Sequence, residues 1–130
     1  MDVLTFYEFV VINHRLRMIS ETWADLWISL HYLPVSVGRL VWLRYTDITD
    51  THIIFPGRGR YKEVSLLIPA PVSEVIHRRK ATWPDDIYIF QSHSNRVKSR
   101  RLPVTVIAFN RALKQAAVGL TRKNITSKCA

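Results

Sequence analysis

The sequence predicts an α+β fold, predominantly helical with a small antiparallel sheet, and three observations carry that expectation. Apolar residues recur at three and four through most of the chain, which is the period of a helix with one buried face. That period breaks after Asp47 into two short β-branched runs flanking PGRGRYK, whose proline and two glycines demand a turn. A length of 130 residues, 48% of them hydrophobic, suits one core, so residues 1–130 are expected to form a single domain.

The elements follow in order. Thr5 and Glu8 have capping-box spacing, in which a hydroxyl accepts the third helical N–H and the carboxylate returns a bond to the cap, so a helix is expected over 6–18. Ser20 and Thr22 offer a second cap, and Trp23, Leu26, Trp27 and Leu30 mark the buried face of a helix over 21–33. Pro34 suits the first turn of a third helix over about 35–44, where a missing N–H costs nothing. Residues 52–55 and 63–68 form the hairpin, with Arg58, Arg60 and Lys62 at or near its tip. A helix over about 71–81 begins after Pro71 and ends in His77-Arg78-Arg79-Lys80, a basic run suited to the negative end of the helix dipole. Residues 85–90 predict a short strand or extended run, and 91–101 a basic loop without periodicity. Pro103 opens the last helix, with Val106, Ile107, Leu113 and Ala117 facing the core and Gly119 ending it in a left-handed cap.

Charge is unevenly distributed. Residues 1–90 carry ten basic and ten acidic side chains, whereas residues 91–130 carry nine basic and no acidic ones, so the whole net charge of +9 sits in the last 40 residues. A single-sign field of this kind points to a polyanion, because Lys and Arg release the counterions condensed on phosphates. Acidic lipid is the weaker candidate, since the basic region lacks the apolar face of a membrane-surface helix. No apolar run reaches the roughly 18–20 residues of a membrane span, and the apolar stretch over 6–12 lacks a basic leader and a cleavage site, so an intracellular protein is expected. The single cysteine, Cys129, permits no internal disulfide or thiolate cage, and the five histidines never fall in HxxxH or HExxH spacing; no metal is expected.

Several local patterns together resemble the catalytic domain of the tyrosine recombinases, the phage integrase family. Leu43-Arg44-Tyr45-Thr46-Asp47-Ile48 is similar to that family's Leu-Arg-Trp-x-Asp-Ile. Gly57-Arg58-Gly59 parallels its Gly-Lys-Gly hairpin turn, and Ile89-Phe90-Gln91-Ser92 with Asn110-Arg111-Ala112-Leu113-Lys114-Gln115-Ala116 parallels a later passage. Residues 119–126 look like the approach to the family's second motif, so the resemblance spans about residues 4–128. It implies an integrase-like catalytic domain, truncated relative to the family, that binds double-stranded DNA and takes neither cofactor nor small-molecule substrate.

The resemblance also implies which chemistry is lost. Its first catalytic arginine falls on Ser36, whose hydroxyl cannot supply a bidentate cationic grip on a phosphate. Arg39, one turn on, is the residue placed to substitute in part. The catalytic lysine falls near Arg58, a poor proton donor, with Lys62 the nearest true lysine. The His-x-x-Arg motif would start at Lys128, and its arginine and the nucleophilic tyrosine do not follow in this sequence. Tyr7, Tyr32, Tyr45, Tyr61 and Tyr88 are expected to be core or rim aromatics.

The leading expectation is therefore a catalytically inactive DNA-binding regulator or accessory factor of a mobile element, cytoplasmic and associated with nucleoid or plasmid. Phosphate contacts are expected from Arg96, Lys98, Arg100 and Arg101 in the loop and from Arg111 and Lys114 on the last helix. Arg58, Arg60 and Lys62 on the hairpin, and Arg39, come second. Two alternatives stand beside it. One is a fragment of an active site-specific recombinase, which Ser36 and Arg58 argue against. The other is a protein-interaction module that pairs as a homodimer through apolar surface, against which Trp23, Trp27, Trp42 and Trp83 would all simply be core.

Overall fold

The helix caps expected from the sequence set the first third of the chain. The computed structural model describes residues 3–94, 101–120 and 125–130. Thr5 and Glu8 form the reciprocal capping box that starts α1 (Phe6–Ile19), and Ser20 caps α2 (Glu21–Tyr32) through the Thr22 N–H. The two helices pack against each other, with Phe9 stacked on Trp27 at 5.5 Å and the Trp27 indole N–H donating to the Phe9 carbonyl at 3.2 Å. Asn13 on α1 donates to the Ala24 carbonyl at 2.9 Å, satisfying a polar group at the seam.

The third helix is much shorter than periodicity suggests. Only α3 (Val37–Leu40) is helical, capped by Ser36, so Pro34 lies outside it rather than in its first turn. The backbone then leaves the helix because Leu43 and Tyr45 are needed elsewhere: the Leu43 carbonyl accepts from Ile89 N–H and the Tyr45 N–H donates to the Ile87 carbonyl, both at 3.1 Å. A single 3-10 turn over Tyr45–Asp47 follows.

β1 (His52–Phe55) and β2 (Val64–Leu67) pair antiparallel in the register His52 to Leu67 and Phe55 to Val64, with Ile53 and Phe55 facing the core. The hairpin closes through mutual Arg58 and Tyr61 backbone bonds of 2.9 Å around Gly59-Arg60, and Gly59 holds φ of +57°, a conformation that glycine adopts without strain. α4 (Ala70–Thr82) packs on α2. Residues 85–90 make isolated bridges instead of a strand, Arg44 to Tyr88 and, just beyond, Gln91 to Pro103.

That last bridge corrects the start of α5 (Val106–Ala117): Pro103 is tied to Gln91, and Thr105 caps the helix through the Ala108 N–H at 3.1 Å. Leu113 and Ala117 are buried as expected, but Val106 is half-buried and Ile107 is 68% exposed, because the helical period carries Ile107 to the side opposite the buried Phe109, Ala112 and Ala116. Gly119 does take the left-handed conformation, at φ +75°. Arg15 on α1 donates to the Ala116 and Val118 carbonyls at 3.0 and 2.9 Å, neutralising the negative end of α5.

The architecture is α+β, about half helical, with one two-stranded antiparallel sheet. Beneath α1, α2 and α4 lies a carboxylate hub. Asp25 is 0% exposed and accepts from both terminal nitrogens of Arg78 and from Arg79 at 3.2 Å, while Arg17 stands 3.6 Å away. Arg79 is 1% exposed; its Nε donates to the Ile89 carbonyl at 2.6 Å, and its guanidinium lies over the Trp83 and Phe90 rings. One member of the basic run at the end of α4 is thus internal rather than surface charge. The Asp25 hydrogen bond raises the Arg78 pKa above its ordinary value, against an opposing effect of burial. Among the described residues no helix is long and apolar enough to cross a membrane.

Candidate nucleic-acid interface

Short α3 and the hairpin face each other across a cleft of about 540 Å³. Ser36, Arg39, Trp42 and Arg44 line one wall, and Phe55, Pro56, Gly57, Arg58 and Tyr61 line the other. Ser36 enters the wall because it is the helix cap, its hydroxyl accepting the Arg39 N–H at 3.4 Å. Trp42 falls between buried Val41 and Leu43 in a segment that has left the helix, so its side chain turns outward and is 44% exposed; it is not core. Trp23 and Trp83 are half-buried, and of the four tryptophans only Trp27 is fully enclosed.

Arg39 spans the cleft. Its Nη2 donates to the carbonyls of Phe55 (3.4 Å), Pro56 (3.2 Å) and Lys62 (3.1 Å), and its guanidinium lies 5.6 Å from the Phe55 ring centre and 5.3 Å from that of Tyr61. The guanidinium reaches one bond further than a lysine ammonium and sets a planar face toward the two rings while Nη2 meets the carbonyls. All three bonds use one nitrogen, so Nε and Nη1 have no hydrogen-bond partner among the described residues. Arg58, at the hairpin tip, stands 5.7 Å above the Trp42 indole; Arg44 stands 5.4 Å above Tyr88, whose ring meets Trp42 edge-on at 5.7 Å. The wall is therefore an alternation of cations and rings, each pair contributing attraction of the ring quadrupole for the charge.

The cleft's charge is uncompensated. Among the described residues Arg39, Arg44 and Arg58 make no ion pair. Asp47 is the one carboxylate in the lining, and it accepts the Arg44 backbone N–H at 3.0 Å. Three guanidiniums against one carboxylate in a concave site favour an anion. Behind this wall Tyr45 is half-buried, and burial raises its pKa above the ordinary 10.0, with Arg79 pulling it down; its hydroxyl has no hydrogen-bond partner among the described residues.

No protein-family model matches the chain, and no curated protein matches it in sequence.

The expected site residues divide into groups. Ser36, Arg39 and Arg58 come together on the cleft, although 22 positions separate the first from the last. Arg60 and Lys62 are exposed on the same hairpin but outside the lining. Arg101 is exposed just before the Gln91 to Pro103 bridge, and Arg111 and Lys114 are exposed on α5, which contributes nothing to the cleft. Arg96, Lys98 and Arg100 lie outside the described residues. Lys128 is exposed beside a separate depression formed with Leu30, His31, Leu33 and Ser127. The sequence reading missed Trp42, Arg44 and Tyr61 as lining residues; Trp42 carries no local signal, because its outward direction follows from the early end of α3.

Proposed function

We propose that this chain is a catalytically inactive, tyrosine-recombinase-like protein that binds double-stranded DNA, acting as a regulator or accessory factor of a mobile element. The observation that carries this reading is the convergence of Ser36, Arg39 and Arg58 on one cleft whose three arginines have no ion-pair partner among the described residues. The family resemblance aligns Ser36 and Arg58 with catalytic residues that handle the phosphate and its leaving oxygen, and Arg39 is the residue placed to substitute in part. The order of helices, hairpin and helices is the one that resemblance leads us to expect. The charge segregated into residues 91–130 supplies additional phosphate contacts.

The same positions explain why binding would not lead to cleavage. Ser36 offers a hydroxyl already engaged by the Arg39 N–H, and Arg58 does not release a proton to a leaving oxygen. Transition-state charge on phosphorus would lack both its bidentate clamp and its acid.

Binding of a labelled generic duplex should fall steeply with salt. For about six neutralised phosphates the loss is on the order of 10³ in affinity between 50 and 200 mM. Denaturing gels of the same samples should show intact strands and no covalent adduct. Absence of binding at 50 mM salt would overturn the reading, and an adduct would overturn the assignment of Ser36.

One observation favours protein interaction as a second reading. Val3, Phe6, Tyr7 and Val10 follow helical spacing yet are all exposed on and before α1. If this strip pairs two copies, sedimentation should show concentration-dependent association that Phe6→Glu abolishes.

A further inference from the structure

The cleft holds more than a phosphate requires. A lone phosphate group needs guanidiniums and little room, whereas about 540 Å³ falls within the roughly 300–1,000 Å³ typical of sites for whole small molecules. Its lining also leaves two large rings open, Trp42 at 44% and Tyr61 at 54% exposed, each next to a guanidinium. A ligand that is anionic at one end and flat and apolar at the other satisfies both halves of the lining. Nucleotides have that chemistry, and sites for unpaired ones combine cations along the backbone with aromatic faces under the bases. In a fully paired duplex the base faces are covered by stacking, so the rings would find no partner.

We propose that the cleft between α3 and the hairpin captures an unpaired nucleotide of DNA, with its phosphate on Arg39 and Arg58 and its base on the Trp42 indole. This rests on the DNA-binding reading and narrows it to distorted or locally opened DNA. Arg39 is fixed by its three carbonyl bonds and presents Nε and Nη1 as donors. Arg58 flanks the exposed Gly59-Arg60 turn and is itself exposed, so its guanidinium exchanges the indole face for the phosphate as the base stacks. Indole is the larger π surface of the two open rings and the better platform.

The test compares one labelled duplex in two forms, fully paired and with a single extrahelical thymine, at a fixed low salt concentration. The bulged form should bind about tenfold more tightly, the effect of one stacked base. Trp42→Ala should reduce that ratio to about one, and Tyr61→Ala should reduce the ratio less. Intrinsic fluorescence should be quenched by the bulged duplex in the unaltered protein and not in Trp42→Phe, which also serves if the alanine variant folds poorly. Equal binding of the two forms, with the salt dependence intact, would overturn the capture of an unpaired base and leave the DNA-binding reading standing. A preference for the bulge that survives Trp42→Ala, or quenching that persists in Trp42→Phe, would overturn the assignment to this cleft. Failure to bind either form at low salt would remove both.

Discussion

Replacing Asp25 with alanine should destabilise the protein by about 3–5 kcal/mol, the cost of leaving a buried charge without its partner. Arg79 is the reason. It is enclosed, its Nη1 relies on the Asp25 carboxylate, and its Nη2 already has no hydrogen-bond acceptor among the described residues. The faces of Trp83 and Phe90 compensate in part and cannot replace a full negative charge. Asp25→Asn should cost nearly as much, because it keeps the shape and removes the charge. Arg78→Ala should cost less, since that side chain is about one-third exposed. The combined change Asp25→Leu with Arg79→Met should recover part of the loss, as apolar replacements of buried ion pairs often do. Urea midpoints of the four variants decide the matter. A shift below about 1 kcal/mol for Asp25→Ala would mean that the hub is not what joins α1, α2 and α4.

Arg39→Ala should weaken DNA binding more than removal of one phosphate contact can account for. Arg58→Ala deletes a single cation and should reduce the slope of log affinity against log salt by about one unit. Arg39 acts on more than its own charge, because its three carbonyl bonds hold the turn that carries Arg58, Arg60 and Lys62. Its loss should reduce the slope by about two to three units as those cations lose their common orientation. Arg39→Lys separates the two contributions: it keeps the charge, but its ammonium falls short of the Nη2 position and has no planar face for the Phe55 and Tyr61 rings, so the brace weakens while the local potential survives. If Arg39→Lys behaves as the unaltered protein, Arg39 serves as a charge alone. If Arg39→Ala and Arg58→Ala have equal slopes, the brace contributes nothing to the interface.

These two residues mark the boundary of what could be read without a structure. Arg39 was placed near a phosphate site by the pattern around Leu43-Arg44-Tyr45-Thr46-Asp47-Ile48, yet nothing in the sequence told whether it pointed to solvent or across to the hairpin. Its acceptors lie 16 to 23 residues further along the chain. Arg79 was read with its basic neighbours as a helix-end cation, and its partner lies 54 residues away. Helical period fixes which face a side chain shares with its neighbours, but it does not say which helix will cover that face.

The sequence by itself determined the elements whose bonds close within a few residues: the Thr5 and Glu8 capping box, the Ser20 cap, the turn at Gly59 and the left-handed Gly119. It also determined the charge segregation, which no folding can alter. Tertiary structure alone decided the length of α3 and the start of α5, because residues 43–45 and Pro103 are claimed by pairing with residues 87–91. It alone turned Trp42 outward and buried Arg79. Local hydrogen bonding competes over about four residues and is legible there. A backbone or guanidinium group satisfied by a distant segment follows whichever partner the assembled core leaves uncovered, and that is a property of the whole chain.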